Sequence, residues 1–138
     1  LRIASDDARF GIPIAKLGGV LAFPEMEALL GAVSPQVALE LLLEGRLLNA
    51  AEAYAKGLLT RVVPAAQWDE EIAQSAARIA ALAPLSARWH KQFIRRLQQG
   101  TPLTVAEQEE GFACFDTQDF VEGYRAFLEK RSPVFQGK

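Results

Sequence analysis

A segment rich in glycine, proline and aliphatic residues, FGIPIAKLGGVLAFPE at positions 10–25, places the strongest limit on how the first part of this chain can fold. A continuous helix is disfavoured there, because glycine loses the most backbone entropy on ordering and proline lacks an N–H and fixes φ. A polar surface loop is also a poor match, because aliphatic side chains fill the segment and its first acidic side chain is Glu25. The sequence therefore predicts a buried or ligand-lining connection.

Composition and length narrow the class of protein. The 138 residues are 50% hydrophobic and 23% charged, with a formal net charge of −2, which suits a globular protein with one sizeable core. This mild acidity argues against a nucleic-acid partner.

No apolar run approaches the roughly 20 residues of a membrane helix, so no membrane span is expected. The single cysteine and the lack of a leader favour a cytoplasmic location. The first residues, LRIAS, alternate between apolar and polar side chains as in the middle or end of a strand, which suggests that the chain begins inside a domain.

Strand and helix patterns alternate in the first part of the chain, up to residue 64. Extended segments are predicted at LRIA, ARFGIPI, RLLN and LLTRVVP. A short helix is expected over residues 25–33, and Ser34 is expected to cap a second one. Asn49 can cap a third helix, which Gly57 ends in the left-handed conformation.

From residue 65 onward the hydrophobic periodicity is helical throughout. Four amphipathic helices are predicted, over residues 66–82, 85–99, 104–116 and 119–131. The last of them places four apolar side chains on one face: Phe120, Tyr124, Phe127 and Leu128. Four such helices in a row predict a helical cap or an assembly surface.

Three features carry reactive or charged groups, and each also has a simple structural explanation. His90 is the only histidine, and without acidic or thiol partners at ligand spacing it is best interpreted as a solvated helix residue. Cys114 has no basic neighbour to activate it and suits core packing. The basic helix face of Arg88, Lys91 and Arg95 is either solvated or binds a phosphate-bearing ligand. No metal or nucleophile motif is present, so residue spacing alone does not identify an enzyme.

Two sequence blocks resemble a known family. The block GRLLNAAEAYAKGLLTRVVP at residues 45–64 and the ending EGYRAFLEKRSPVFQG at residues 122–137 resemble the carboxyl-terminal half of the crotonase superfamily, the enoyl-CoA hydratases and isomerases. The resemblance implies an α/β fold, in which residues 1–64 form the last part of a crotonase-like ββα superhelix. It also implies that residues 65–138 form a helical trimerisation region that completes the coenzyme A site.

Members of this family bind acyl-CoA thioesters and stabilise an enolate-like anion with two backbone N–H groups. The resemblance therefore implies an acyl-CoA substrate, no separate cofactor, no metal, and a homo-oligomer that is a trimer or a hexamer. In the family, both oxyanion donors and the first hydratase glutamate lie upstream of the matched region. The full-length protein is accordingly predicted to be a lyase or isomerase, and the 138 residues alone are predicted to be inactive.

The second hydratase glutamate of the family falls within the opening segment. Hydratases have FGxPE there, whereas this chain has FGIPI and places Ile14 at the glutamate position. Because an aliphatic side chain cannot transfer a proton, the resemblance argues against an ordinary 2-enoyl-CoA hydratase. It implies an apolar wall of the acyl pocket, made by Pro13, Ile14, Val20, Leu21, Ala22 and Phe23.

Glu25 is the nearest carboxylate to this wall and is the catalytic candidate. Desolvation against Phe23 and Val20 would raise its pKa towards a working value, while the helix dipole would oppose that shift. The alternative interpretation is that Glu25 stabilises the first turn of a helix.

Near the other end of the chain, the resemblance implies two contacts with coenzyme A, frequently that of a neighbouring subunit. Lys130 is the candidate for pairing with a phosphate, and Phe135 is the candidate for packing on the adenine. Alternatively, Lys130 only complements the negative end of its helix.

Two functional hypotheses follow. The first is an acyl-CoA enzyme that is not an ordinary hydratase. The second is a non-catalytic relative that acts as a binding or assembly subunit, because such a protein would also lack proton-transfer groups in its site.

Overall fold

The computed structural model describes residues 1–138 and contains far more helix than strand. By its internal contacts the chain divides into two units, Leu1–Ala73 and Gln74–Lys138. The point of division lies within helix α4 (Trp68–Ala80), whereas the predicted division after residue 64 lies before that helix and stays a prediction. None of the helices has both the length and the apolar character needed to cross a membrane.

The first unit combines short strands with short helices. Its strands are β1 (Ile3–Ser5), β2 (Arg9–Phe10), β3 (Leu48–Asn49) and β4 (Arg61–Val63). Its α-helices are α1 (Phe23–Leu30), α2 (Pro35–Leu39) and α3 (Ala50–Ala55), and α2 continues into a π-helix over Glu40–Glu44. Two 3-10 helices cover Pro13–Leu17 and Ala65–Gln67.

The strands form two separate pairs. β1 pairs in parallel with β4, with Ile3 opposite Arg61, and the backbone N–H of Arg2 extends the pairing by donating to Thr60 Oγ1 at 3.1 Å. β2 pairs antiparallel with β3, with Phe10 opposite Leu48. Each pair therefore joins the start of the chain to residues some 40 to 60 positions later, which closes the unit.

A small core joins these pairs to the helices. Its buried side chains are Ala4, Leu41, Leu48, Ala50, Ala53 and Leu59. Half of them are alanines, which let α3 lie close to the strands without leaving voids.

The predicted helix caps are confirmed. Ser34 Oγ accepts from the backbone N–H of Val37 at 3.4 Å at the start of α2. Asn49 and Glu52 form a reciprocal capping box at the start of α3, with both hydrogen bonds at 2.9 Å. Gly57 follows α3 with φ of 76°, as expected for a glycine that ends a helix.

The expectation of an extended segment over ARFGIPI is only partly right. β2 ends at Phe10, and Pro13 then begins a 3-10 helix that Gly18 ends with φ of 71°. Proline suits the first helical position because its missing N–H would have no partner there and its φ is already set. Pro13 therefore starts a helical turn where the alternating pattern indicated a strand.

Gly11 joins these two elements at a close approach of backbones. A Cβ atom on Gly11 would lie 2.8 Å from the carbonyl oxygen of Arg46 and 2.7 Å from Leu47 Cδ2. Real Cβ atoms do not come this near to a backbone oxygen, so the absence of a side chain lets residues 9–13 lie directly on residues 46–47.

The second unit contains the remaining part of α4 and three further helices: α5 (Pro84–Leu97), α6 (Val105–Glu110) and α7 (Gln118–Glu129). The single helix predicted over residues 104–116 is wrong, because α6 ends at Glu110 and a 3-10 helix covers Ala113–Asp116. Gly111 has low helix propensity, and Thr117 begins α7 by accepting the N–H of Phe120 at 3.0 Å.

The helices of the second unit leave much of their apolar surface exposed. Its buried residues are Ser75, Asp119 and Ala126. Large exposed side chains lie on each of the four α-helices, among them Ile79, Leu97, Val105, Tyr124 and Phe127. Such surfaces on monomers usually serve as contact sites, which suits the predicted cap or assembly surface.

Candidate functional site

The predicted acyl pocket wall begins in the 3-10 helix after β2. The Gly18 N–H donates to Ala15 O at 3.1 Å and the Gly19 N–H donates to Ile14 O at 3.2 Å, so the chain turns back on itself. Ile14 is half-buried and lies against Gly19, where an added Cβ would be 3.0 Å from Ile14 Cγ1. The backbone thus fixes the position of the Ile14 side chain.

The rest of the predicted wall is apolar and mostly exposed. Val20 is 84% exposed and Phe23 is 92% exposed, whereas Leu21 is half-buried. The expectation of a buried connection is therefore wrong within this chain. The buried core of the first unit lies among the strands, the π-helix and α3, and it includes none of residues 20–23. The ligand-lining alternative is compatible with such a surface.

Glu25 lies in the first turn of α1, where it is exposed and makes no hydrogen bond or ion pair. The desolvation expected from Phe23 and Val20 does not occur within the first unit, because both of those side chains are themselves exposed. Its position in the first turn matches the helix-stabilising interpretation. The catalytic role of Glu25 stays a prediction.

A cluster of charged side chains lies under the 3-10 helix, and the sequence analysis missed it. Arg46 donates from Nη2 to Glu40 at 2.8 Å and from Nη1 to Glu52 at 2.8 Å, and its Nε lies 3.3 Å from Glu44. Lys56 binds the other oxygen of Glu40 at 2.6 Å. These contacts join the π-helix, the following loop and α3 into one network.

The network favours the ionised forms of Glu40 and Glu52, and its π-helix packs against the turn of the candidate site. Hydrogen bonds from Lys56 and Arg46 lower the pKa of Glu40, and Arg46 is the main cause of the lowered pKa of Glu52. Gly45 ends the π-helix with φ of 56°, and an added Cβ there would lie 3.3 Å from Lys16 Cε. The π-helix therefore packs against the turn that carries Ile14. Such helices often occur at functional sites.

In the second unit, the two predicted coenzyme A contacts lie at and after the end of α7. Lys130 has φ of 53°, and it is the one residue other than glycine with a positive φ. Its ammonium group is exposed and makes no hydrogen bond or ion pair. Left-handed backbone costs an ordinary residue about 1–2 kcal/mol. The unpaired ammonium is compatible with an anionic ligand.

Phe135 belongs to a segment, residues 132–138, that folds back onto α7. Its half-buried ring lies on Gly123, where an added Cβ would be 3.4 Å from the ring. Arg131 forms a two-point ion pair with Glu122 at 2.6 and 2.9 Å, and Glu122 also accepts the Val134 N–H at 2.9 Å. Asp119 holds the end of the segment. The stretch EGYRAFLEKRSPVFQG therefore contains both Glu122 and the groups that it holds, the Arg131 side chain and the Val134 N–H.

Acid should weaken the attachment of this segment through Glu122. The hydrogen bond from Arg131 lowers the pKa of Glu122 from 4.5 to about 2. Because the folded-state pKa is depressed, the ionised carboxylate stabilises the folded protein above pH 4.5, and this contribution fades as the pH falls towards 2. We expect the loss of unfolding free energy in Glu122→Gln, measured by urea titration of the full-length protein, to be largest at neutral pH and to vanish near pH 2.

Glu109→Gln is the matched control for this pH series. Glu109 is also a helical glutamate of the second unit, but its carboxylate is exposed and makes no hydrogen bond. A pH dependence of equal size in the two variants would contradict the role assigned to Glu122.

The three other features noted in the sequence make no site among themselves. His90 is exposed and unpaired, and Cys114 is half-buried, with its Sγ 4.0 Å from Gly111 O. No group of three or more histidine, cysteine or acidic side chains is placed to hold a metal ion.

The basic face of α5 borders an open cleft of about 690 Å³ between α5 and α6. Arg88, Lys91 and Arg95 line it without ion pairs, whereas Arg96 is neutralised by Glu107. The cleft also contains apolar and acidic side chains, so its charge is mixed. The choice between a solvated face and a phosphate-binding face stays open.

Comparison with known proteins gives a family match over the whole chain. The family model described as enoyl-CoA hydratase/isomerase matches residues 1–138. A probable enoyl-CoA hydratase of Mycobacterium bovis is 36% identical over 138 residues, which cover 96% of this chain and 52% of that protein. The (E)-benzylidenesuccinyl-CoA hydratase of Thauera aromatica is 34% identical over 145 residues, which cover 99% of this chain and 54% of that protein.

A solved structure is still more similar. The crystal structure of an enoyl-CoA hydratase/carnithine racemase from Magnetospirillum magneticum matches with a TM-score of 0.96 and 46% sequence identity, covering 100% of this chain and 52% of that one. This chain therefore spans about half the length of the proteins it matches.

Proposed function

This chain belongs to the enoyl-CoA hydratase/isomerase family, and from this premise we propose that the full-length protein binds acyl-CoA thioesters and acts on them by a reaction other than ordinary 2-enoyl-CoA hydration. The chain has the crotonase fold, as the last part of its α/β core followed by helices. The proposed reaction is a lyase or isomerase step through a thioester enolate. The oxyanion hole for that enolate would come from the part of the family fold that precedes the matched region.

The observation that carries this proposal is Ile14. It occupies the position at which the FGxPE pattern of hydratases supplies a glutamate, and its backbone is fixed by the turn from Pro13 to Gly19. Hydration of a 2-enoyl thioester needs a proton donor beside the reacting carbon, and a hydrocarbon side chain cannot supply one. Together with Pro13 and residues 20–23, Ile14 would form the apolar surface on which the acyl group rests.

In the second unit, Lys130 and Phe135 are the proposed contacts for coenzyme A, which in this family is frequently that of a neighbouring subunit. The unpaired ammonium of Lys130 suits a phosphate, and the fixed ring of Phe135 suits the adenine. No separate cofactor or metal is needed for enolate chemistry of this kind. A trimer or hexamer located in the cytoplasm is part of the same proposal, and the exposed apolar faces of α5 and α7 support the oligomer.

A non-catalytic crotonase-like binding or assembly subunit is the second candidate. The observation that favours it is the lack of an ionisable group in residues 18–24, next to the fixed Ile14. Glu25, the nearest carboxylate, is exposed on the first turn of α1. In that case the helical faces of the second unit would carry the function.

Two measurements on the full-length protein test the proposal. Calorimetric titration should detect binding of acyl-CoA thioesters, and an assay with crotonyl-CoA should detect no hydration at the rate of an ordinary hydratase. Exchange of the α-proton of a bound acyl-CoA for deuterium would indicate an enzyme. Turnover of crotonyl-CoA at an ordinary rate would overturn the proposed reaction class. Absence of acyl-CoA binding by the intact oligomer would favour the assembly subunit.

A further inference from the structure

We propose that Asp119 and Glu122 are positioning residues for the nucleotide part of coenzyme A: they hold the 132–138 segment on α7 so that the Phe135 ring is presented in one fixed orientation. The inference rests on the proposed function, because it assigns a role within the acyl-CoA site. It adds two residues that touch no substrate themselves and act through the segment that they hold.

Asp119 anchors the far end of the segment. Its side chain is buried, with 4% of the residue exposed, and its two oxygens accept the backbone N–H groups of Gln136 at 2.7 Å and Gly137 at 2.9 Å. The Asp119 N–H in turn donates to Lys138 O at 3.0 Å. Hydrogen bonds from backbone N–H groups to an ionised carboxylate are among the stronger ones in proteins. Three consecutive residues are thus tied to one helical position.

Glu122 anchors the near end of the segment, one turn further along α7. It accepts the Val134 N–H at 2.9 Å and binds both terminal nitrogens of Arg131. Arg131 also donates from Nε to Glu129 at 2.6 Å. The backbone is therefore fixed on both sides of Phe135, by Glu122 through Val134 and by Asp119 through Gln136.

The Phe135 ring itself completes the attachment. It packs on Gly123, the residue after Glu122. Two ring atoms lie 3.4 and 3.6 Å from the position that a Cβ on Gly123 would take. The ring borders a cavity of about 360 Å³, whose other walls include Phe120, Tyr124 and Phe127. A planar purine can pack against aromatic rings in such a cavity. A ring held in place before binding does not lose rotational freedom when the ligand arrives.

The segment contributes little to the core of the second unit. Val134 is 69% exposed, and of residues 132–138 only Phe135 and Gly137 are half-buried. Two carboxylates nevertheless hold it through hydrogen bonds to three backbone N–H groups. Such attachment of an exposed segment favours a role in presenting Phe135 over a role in burying apolar surface.

The test compares two ligands on the full-length protein with Asp119→Asn. The variant keeps the shape of the side chain, but the carboxylate of Asp119 accepts hydrogen bonds from two backbone N–H groups and the amide has only one oxygen. Its NH₂ group would face the other N–H, so that one hydrogen bond is lost. Calorimetric titrations use an acyl-CoA and the same acyl group on pantetheine, which lacks the nucleotide. We expect the Kd for acyl-CoA to rise about tenfold and the Kd for acyl-pantetheine to stay within about twofold of wild type. Asp116→Asn is the matched control, because the Asp116 carboxylate is exposed and makes no hydrogen bond.

Gly123→Leu is the second variant, and it decides the question if Asp119→Asn does not fold. Leucine is also favourable in a helix, and its side chain has to displace the Phe135 ring, because a Cβ at this position would already be in contact with the ring at 3.4 Å. The two acidic anchors are unchanged in this variant. The same selective loss of acyl-CoA affinity is expected. Equal weakening of both ligands, or no change for either, overturns the inference. If the wild type binds both ligands and each variant changes the two Kd values by the same factor, the proposed function stands and the positioning role of Asp119 and Glu122 is wrong. If the wild type binds neither ligand, the proposed function and the positioning role are both wrong.

Discussion

The Ile14→Glu variant of the full-length protein should hydrate crotonyl-CoA roughly 10²–10⁴-fold faster than the wild type, the range that a positioned general acid or base contributes. Ile14 lies on a turn whose backbone is fixed by hydrogen bonds, and its side chain is only half-buried. A glutamate there would keep that backbone and project its carboxylate from the position at which, by the proposed match to the FGxPE pattern, hydratases carry theirs. The measurement is the decrease of the enoyl thioester absorbance with time.

Ile14→Gln is the matched control for this gain of activity. It has nearly the same size and polarity as the glutamate variant but cannot exchange a proton at neutral pH. We expect it to leave the hydratase rate at the wild-type level. Equal rates in the two variants would show that Ile14 does not limit hydration, and the proposed reaction class would lose its main support.

The second large effect is expected from Gly11→Ala, which should lower the unfolding free energy by about 1–3 kcal/mol. An added Cβ would lie 2.8 Å from the Arg46 carbonyl oxygen, and a backbone atom cannot move aside as a flexible side chain can. Relief of the clash requires separation of β2 from β3, or of the 3-10 helix from the π-helix. Urea unfolding of the full-length protein measures the change.

Gly31→Ala provides the comparison for Gly11→Ala. Gly31 has ordinary helical backbone, with φ of −70°, and its added Cβ would lie 3.5 Å from the carbonyl oxygens of Glu27 and Ala28, a normal contact distance. Its substitution should change the unfolding free energy by less than about 0.5 kcal/mol. A similar loss of stability in both variants would contradict the importance of the close approach at Gly11.

Local features of the fold could be predicted from the sequence because each depends on neighbours in the chain. Ser34, Asn49 and Gly57 act within three or four residues of their own positions, and all three do what their residue types indicate. The division into a mixed first part and a helical second part follows in the same way. Even so, the turn after Pro13 appeared as a strand in the pattern, because 3-10 helices this short have no periodicity of their own.

Features that depend on distant residues could not be predicted in this way. Arg46 binds carboxylates from the π-helix and from α3, and Lys56 pairs with Glu40 across 16 positions although Glu52 lies one helical turn before it. Asp119 holds backbone groups 17 and 18 positions later. No periodicity indicates such contacts. They became visible only when the elements were placed in space.

The candidate site, too, could be predicted from the sequence only in part. Residue type indicated a buried or ligand-lining segment around Ile14, and the family resemblance made it a pocket wall, which stays a prediction. Gly19 leaves room for the Ile14 side chain, because an added Cβ there would lie 3.0 Å from Ile14 Cγ1. The degree of burial was predicted wrongly, because the aliphatic composition of residues 20–23 indicates contact with something apolar but does not say whether that surface lies within the chain.

The parallel pairing of β1 with β4 sets the order in which the first unit can fold during synthesis. The N–H of Arg2 reaches Thr60 across 58 positions, so the first strand leaves the ribosome long before its partner does. Helices such as α3 form from local contacts in far less time than distant strands need to meet. A nascent chain that stops short of Val63 can therefore form its helices but still lacks the strand with which β1 pairs in this unit.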